Sequence, residues 1–243
     1  MEKNLKGYKG FEKGLICRGK QYAENTVFEE EDAIVCCKGM HFCVNPFDVL
    51  DHYGLVNEDG GFNDFAEVEA MDECLTDDNK KYCTKKLKVG TKLSFAGFIK
   101  ACVNFVIERT TFEEPQIGSS GNYAQIGSSG YSAQIGSSGY SAKIGSSGYS
   151  AKIGSSGDSA KIGSSGDSAQ IGSSGYYAVV MCAGNGSIAK AKKGSWITLA
   201  EWKENAEGKW IPVNVVTVQV DGEKIKEDTY YKLENGEFVE VGE

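Results

Sequence analysis

From residue 117 to 179 the chain carries seven uninterrupted copies of one nine-residue pattern, I-G-S-S-G-x-[SY]-A-x. Isoleucine returns at every ninth position, from Ile117 to Ile171, and from the second copy onward an alanine stands two residues before it. The order Ala, Gln or Lys, Ile puts the two apolar side chains on one face of a short strand and the polar one on the other. Ser-Ser-Gly then supplies a turn, with glycine as the residue expected to take a positive φ. Two slots vary. One runs Asn122, Tyr131, Tyr140, Tyr149, Asp158, Asp167, Tyr176, and the other Gln125, Gln134, Lys143, Lys152, Lys161, Gln170, Val179. Fixed apolar and small positions point into a uniform interior, and the variable ones face outward. The prediction is a β-solenoid.

Chain length sets the coil. Nine extended residues trace roughly 30 Å at about 3.3 Å each, while facing sheets stand about 10 Å apart. One unit cannot close around an isoleucine-filled interior; two can, each wall sending in one isoleucine per coil. Seven units then give about three and a half coils, roughly 17 Å of stack at about 4.8 Å per coil. A flexible Gly/Ser linker, the competing reading of so much glycine and serine, leaves the period of the isoleucines unexplained. So thin a stack calls for caps and for self-association as a dimer or trimer.

The flanks follow other rhythms. In residues 1–112, segments 14–19, 33–37, 65–70 and 86–89 read as strands. Residues 45–53 read as a helix capped by Asn45 with Pro46 in its first turn, and 94–106 as a closing helix, giving a small α+β head. Residues 183–243 read as a β-rich cap, with strands at 196–202, 210–213, 215–220 and 237–241. Its turns fall at Glu207-Gly208, Asp221-Gly222 and Asn235-Gly236. The solenoid is placed between them, at 113–182. The fold class expected is an α+β N-terminal domain, a central β-solenoid and an all-β C-terminal cap.

Charge and cysteine then narrow the chemistry. The net charge is −8 with lysine and arginine scattered, so no patch is suited to neutralising phosphates and nucleic acid is not an expected partner. No apolar run is long enough to span a membrane and no leader is visible at the start, so a cytoplasmic location is expected, with no membrane partner. The eight cysteines show no C-x-x-C spacing and read as reduced small residues, and two histidines leave little for a metal.

Several resemblances attach to these residues. Cys17-Arg18-Gly19, the run G-M-H-F-C-V-N-P-F-D-V-L at 39–50, A-E-V-E-A at 66–70 and the tail motif G-S-W-I-T-L-A-E-W at 194–202 resemble an uncharacterised family of phage and prophage proteins. Its members also hold a Gly/Ser/Ala repeat between their two ends. The repeat is similar in style to the heads of trimeric autotransporter adhesins. It also shares its period with calcium-binding nonapeptide repeats, which place an Asp in every copy; here Asp occupies two of seven, so calcium is not expected. Arg18, the strand ending at His41 and the alternating carboxylate strand with Glu69 resemble ADP-ribosyltransferase folds. That likeness implies NAD as cofactor, with Glu69 on the nicotinamide ribose, Arg18 on phosphate and His41 on ribose. The plainer reading makes Arg18 and Glu69 an ion pair, with His41 and Tyr53 part of the core.

Function therefore divides three ways. The first expectation is a phage-encoded interaction protein of the bacterial cytoplasm that binds a host protein, such as a defence factor, and needs no cofactor. Its surface would comprise Tyr131, Tyr140, Tyr149, Tyr176, Lys143, Lys152, Lys161, Asp158 and Asp167. The second is the NAD-using transferase, and the third a virion or fibre component.

Overall fold

The computed structural model describes residues 4–57, 61–109 and 116–242. The expected boundary between head and solenoid, at residues 112 and 113, lies outside them, as does the start at residues 1–3. The chain divides into two compact units, Met1–Phe98 and Ile99–Glu243.

The first unit is built on a seven-stranded sheet. Its elements are β1 (Lys6–Phe11), the short pair β2 (Ile16–Cys17) and β3 (Lys20–Gln21), β4 (Thr26–Glu29), β5 (Met40–Cys43), α1 (Pro46–Val49), β6 (Asp64–Ala70), β7 (Cys74–Leu75), β8 (Lys81–Thr84) and β9 (Lys86–Leu93). The strand order is β4-β9-β6-β1-β5-β8-β7, with antiparallel pairing throughout. Ala66, Val68 and Ala70 of β6 alternate into a core with Phe11, Met40, Phe42, Leu87 and Val89, as period-two patterning requires. Asn45 accepts a hydrogen bond from the Phe47 amide at 3.0 Å and Pro46 begins α1, so the expected cap is present on a shorter helix. Segment 33–37 is a turn flanked by an Ile34–Lys38 bridge and not the strand its apolar residues suggest, because Cys36 sits at φ 62°. The central strand β1 escapes the hydrophobic pattern because Lys9 occupies one of its buried positions.

Helix α2 (Phe95–Ile107) begins in this unit, where Ser94 accepts from the Gly97 amide at 3.1 Å and Phe98 stacks on Phe65 with ring centroids 4.1 Å apart.

The second unit is the solenoid. Its strands are β10 (Gln116–Ser119), β11 (Gln125–Ser128), β12 (Gln134–Ser137), β13 (Lys143–Ser146), β14 (Lys152–Ser155), β15 (Lys161–Ser164), β16 (Gln170–Ser173), β17 (Val179–Cys182), β18 (Ile188–Lys190) and β19 (Trp196–Glu204). Even-numbered strands pair in parallel as one wall and odd-numbered strands as the other, and within the repeat every register step is eighteen residues, Ile135 on Ile153 and Ile144 on Ile162. Two units per coil is therefore correct. The stack also runs past the repeat to about five coils, because Val180, Ala189 and Ile197 occupy the interior slot without the motif.

Interior isoleucines, and the repeat alanines from Ala133 onward, are at most 8 % exposed, each buried isoleucine contributing about 2 kcal/mol of apolar burial. The far end closes as expected of a cap. β20 (Trp210–Gln219) adds antiparallel to β19, and the hairpin β21 (Tyr231–Glu234) and β22 (Glu237–Glu240) adds to β18. Tyr231 and Leu233 complete the solenoid core. Pro212 is accommodated within β20, which fuses the two strands expected there.

The turn chemistry differs from expectation. In each repeat the left-handed residue is the serine or tyrosine after the variable slot, such as Ser141 at φ 52° and Ser150 at φ 55°. The second glycine of the unit is needed for a different reason: a Cβ on Gly157 or Gly166 would overlap the carbonyl oxygen of Gly139 or Gly148, one coil earlier. That glycine sets how closely successive coils stack.

Candidate functional site

The head holds a cavity of about 590 Å³ whose lining includes Lys9, Cys17, Arg18, Lys20, Tyr22, Glu30 and His41. β1 carries Lys9 into its base, where the side chain is 4 % exposed. Its ammonium donates to the His41 carbonyl at 3.0 Å and to the Cys17 sulfur at 3.3 Å, and lies 5.3 Å from the Phe11 ring centre and 5.8 Å from that of Tyr22. Burial lowers the Lys9 pKa below the usual lysine range, with Cys17 acting in the opposite direction. Cys17 in turn contacts the Tyr53 hydroxyl at 2.8 Å, and burial pushes the Tyr53 pKa up.

Arg18 and Gly19 make the turn between β2 and β3, with φ 51° and 74°, and the Arg18 guanidinium donates to the Cys37 carbonyl at 3.2 Å. His41 accepts from the Cys36 amide through Nε2. Burial, followed by the positive charges of Arg18 and Lys9, lowers the His41 pKa to about 4, so its imidazole is neutral at pH 7. Arg18 and His41 thus line one cavity. Glu69 does not join them. It stands on β6 in register with Lys6 and Lys88 and is absent from the cavity lining, so the transferase triad is not assembled. The reason is strand parity: Glu67 and Glu69 alternate with the core residues Ala66, Val68 and Ala70.

On the solenoid, Tyr131, Tyr140, Tyr149 and Tyr176 are all exposed, Tyr131 to 73 %. Tyr131 stacks on Tyr149 with centroids 5.4 Å apart along one edge, while Tyr140 meets Tyr123 edge-on along the other. Asp158 and Asp167 have a structural task. Each carboxylate accepts from the backbone amide eighteen residues on, that of Tyr176 at 2.8 Å and that of Asn185 at 2.7 Å, tying one coil to the next. Asn122 does the same for Tyr140.

The three lysines part company. Lys152 is exposed, whereas Lys143 and Lys161 are buried at 7 % and 9 % exposure, contrary to an outward-facing binding role for all three. Residues 99–107 of α2 account for this. The Val103 Cα lies 3.1 Å from where a Cβ on Gly145 would be, Val106 Cβ 3.6 Å away, and Lys161 lies within electrostatic reach of the fully buried Cys102. The odd-numbered wall is therefore covered. On the even-numbered wall no described residue comes within 4 Å of the same point at Gly118, Gly136 or Gly154. They floor an open trough of about 640 Å³ lined by Gln116, Gln134, Lys152, Gln170 and Tyr230.

The sequence pattern missed Lys9, Cys17 and Tyr53 as a cluster; the available signal was the alternation K-G-Y-K-G-F in 6–11, which sets Lys9 in phase with Phe11. Among the described residues no three His, Cys, Asp or Glu side chains are grouped to hold a metal, and no helix is long and apolar enough to cross a membrane. All eight cysteines lie among the described residues and none is in a disulfide.

Residues 5–101 match the sequence model of a domain of unknown function (DUF7666). The head is similar to that domain, in keeping with an uncharacterised family, over 97 of the 243 residues. No curated protein and no solved structure matches the chain.

Proposed function

We propose that the protein acts by binding another protein, using the open wall of its solenoid and the tyrosine edges beside it. The observation that carries this reading is the contrast between two walls made of one repeat. Over Gly145 the chain lays its own helix, while Gly118, Gly136 and Gly154 offer the same close approach with no occupant among the described residues. Glycine inside a strand costs stability and marks where another backbone comes near. The preferred occupant is a partner helix with a small-residue or aliphatic stripe, as Val103 and Val106 present on the covered side. Tyr131, Tyr140 and Tyr149 supply exposed aromatic area of the kind enriched at interfaces. The resemblance to phage and prophage proteins supports a bacterial host protein as the partner, with inhibition of a defence factor as its consequence.

The test fills the trough. Gly136→Val and Gly154→Val, where added methyl groups meet open space, should leave the melting curve in place and abolish binding to a partner captured by the wild-type chain from bacterial lysate. Tyr131, Tyr140 and Tyr149 changed together to Ser should weaken it by more than about 2 kcal/mol. Undiminished binding by the filled-trough variant removes the open wall from the function.

A further inference from the structure

The base of the head cavity brings together an amine and a thiol that the binding function leaves unused. Lys9 Nζ lies 3.3 Å from Cys17 Sγ, and the sulfur also contacts the Tyr53 hydroxyl at 2.8 Å. The two residues reach this point from different strands, β1 and the two-residue β2, so their proximity is a product of the fold and not of neighbouring sequence. Both line the cavity, which gives a small oxidant access to otherwise buried atoms.

We propose that Lys9 and Cys17 are a redox modification site, joined by a sulfur–nitrogen bond when a peroxide oxidises the cysteine. In the first step the Cys17 sulfur takes one oxygen from the peroxide; with hydrogen peroxide this gives Cys17–SOH and water. In the second the Lys9 nitrogen lone pair attacks the sulfur, the S–O bond breaks, and the departing hydroxyl leaves as water with a proton from the nitrogen. The product, Cys17–S–NH–Lys9, has two hydrogens fewer than the reduced protein, and a thiol reductant restores both side chains. Sulfenic acids condense with nitrogen in this way when the nitrogen is held close. The burial that lowers the affinity of Lys9 for its proton favours the neutral amine needed for attack. The bond would fix the Arg18–Gly19 turn against β1 and so set the shape of the cavity wall.

The experiment uses the full chain with Cys36→Ser and Cys37→Ser, because a disulfide between those exposed neighbours removes the same two hydrogens. Graded hydrogen peroxide is followed by non-reducing digestion and mass spectrometry. The expected result is one cross-linked species joining the peptides with Lys9 and Cys17, lighter by two hydrogens, reversed by dithiothreitol and lost in Lys9→Arg. Conversion of Cys17 to a sulfinic acid with no link to Lys9, or a Cys17 that stays reduced while other cysteines oxidise, would overturn the proposal. Mapping of the chain that retains Lys9 decides the matter even where the Lys9→Arg protein folds poorly.

Discussion

The two walls of the solenoid are written in the same nine letters and meet different fates. On the odd-numbered wall Lys143 and Lys161 are buried and Gly145 lies beneath Val103 and Val106. On the even-numbered wall Lys152 is exposed and no described residue approaches Gly154. Inside, nothing separates them: Ile144 and Ile153 are 0 % and 2 % exposed. A repeat therefore specifies its own stacking and its own interior, while the outer environment of each copy comes from chain elsewhere.

The largest effect should be blind to the difference. Ile144→Asp and Ile153→Asp each put an unpaired charge into the shared interior and should cost about 3–5 kcal/mol. Chemical denaturation should give equal losses; a large gap between them would mean the interior is not common to both walls. Next comes the pair that breaks the symmetry. Gly145→Val drives methyl groups into Val103 and should cost about 3 kcal/mol as overpacking, whereas Gly154→Val should change stability by less than about 0.5 kcal/mol. Similar values would place the helix wrongly. The smallest contrast is Lys161→Ala, about 1.5 kcal/mol for a buried charged group losing its interactions, against Lys152→Ala, within about 0.5 kcal/mol. Thermal melts at matched concentration resolve that margin.

How far the sequence could be read follows from the same comparison. The period revealed two units per coil and inward isoleucines, since each depends only on chain length and alternation. Burial of Lys143 and Lys161 was not legible, because a neighbouring helix leaves no mark in the repeat. Gly157 was assigned a turn conformation that Ser159 in fact adopts at φ 58°, since stacking contacts and backbone dihedrals both select small residues. In the head, strand alternation located β6 but not β1, where Lys9 breaks the apolar pattern at the position that makes the cavity. Arg18 and His41 do converge, while Glu69 is kept apart by the parity of its strand.

The eighteen-residue register has a genetic consequence. Removing or duplicating two units shortens or lengthens the stack by one coil, about 4.8 Å, and leaves every later strand on its own wall. A change of a single unit shifts everything downstream by half a coil. β19 and its partner β20 would then extend the wall that now carries β18 and the hairpin, and the hairpin of β21 and β22 would move to the wall bearing the helix. Changes of copy number in even steps therefore preserve the two walls and odd steps exchange them, a parity rule that follows from two-fold coiling.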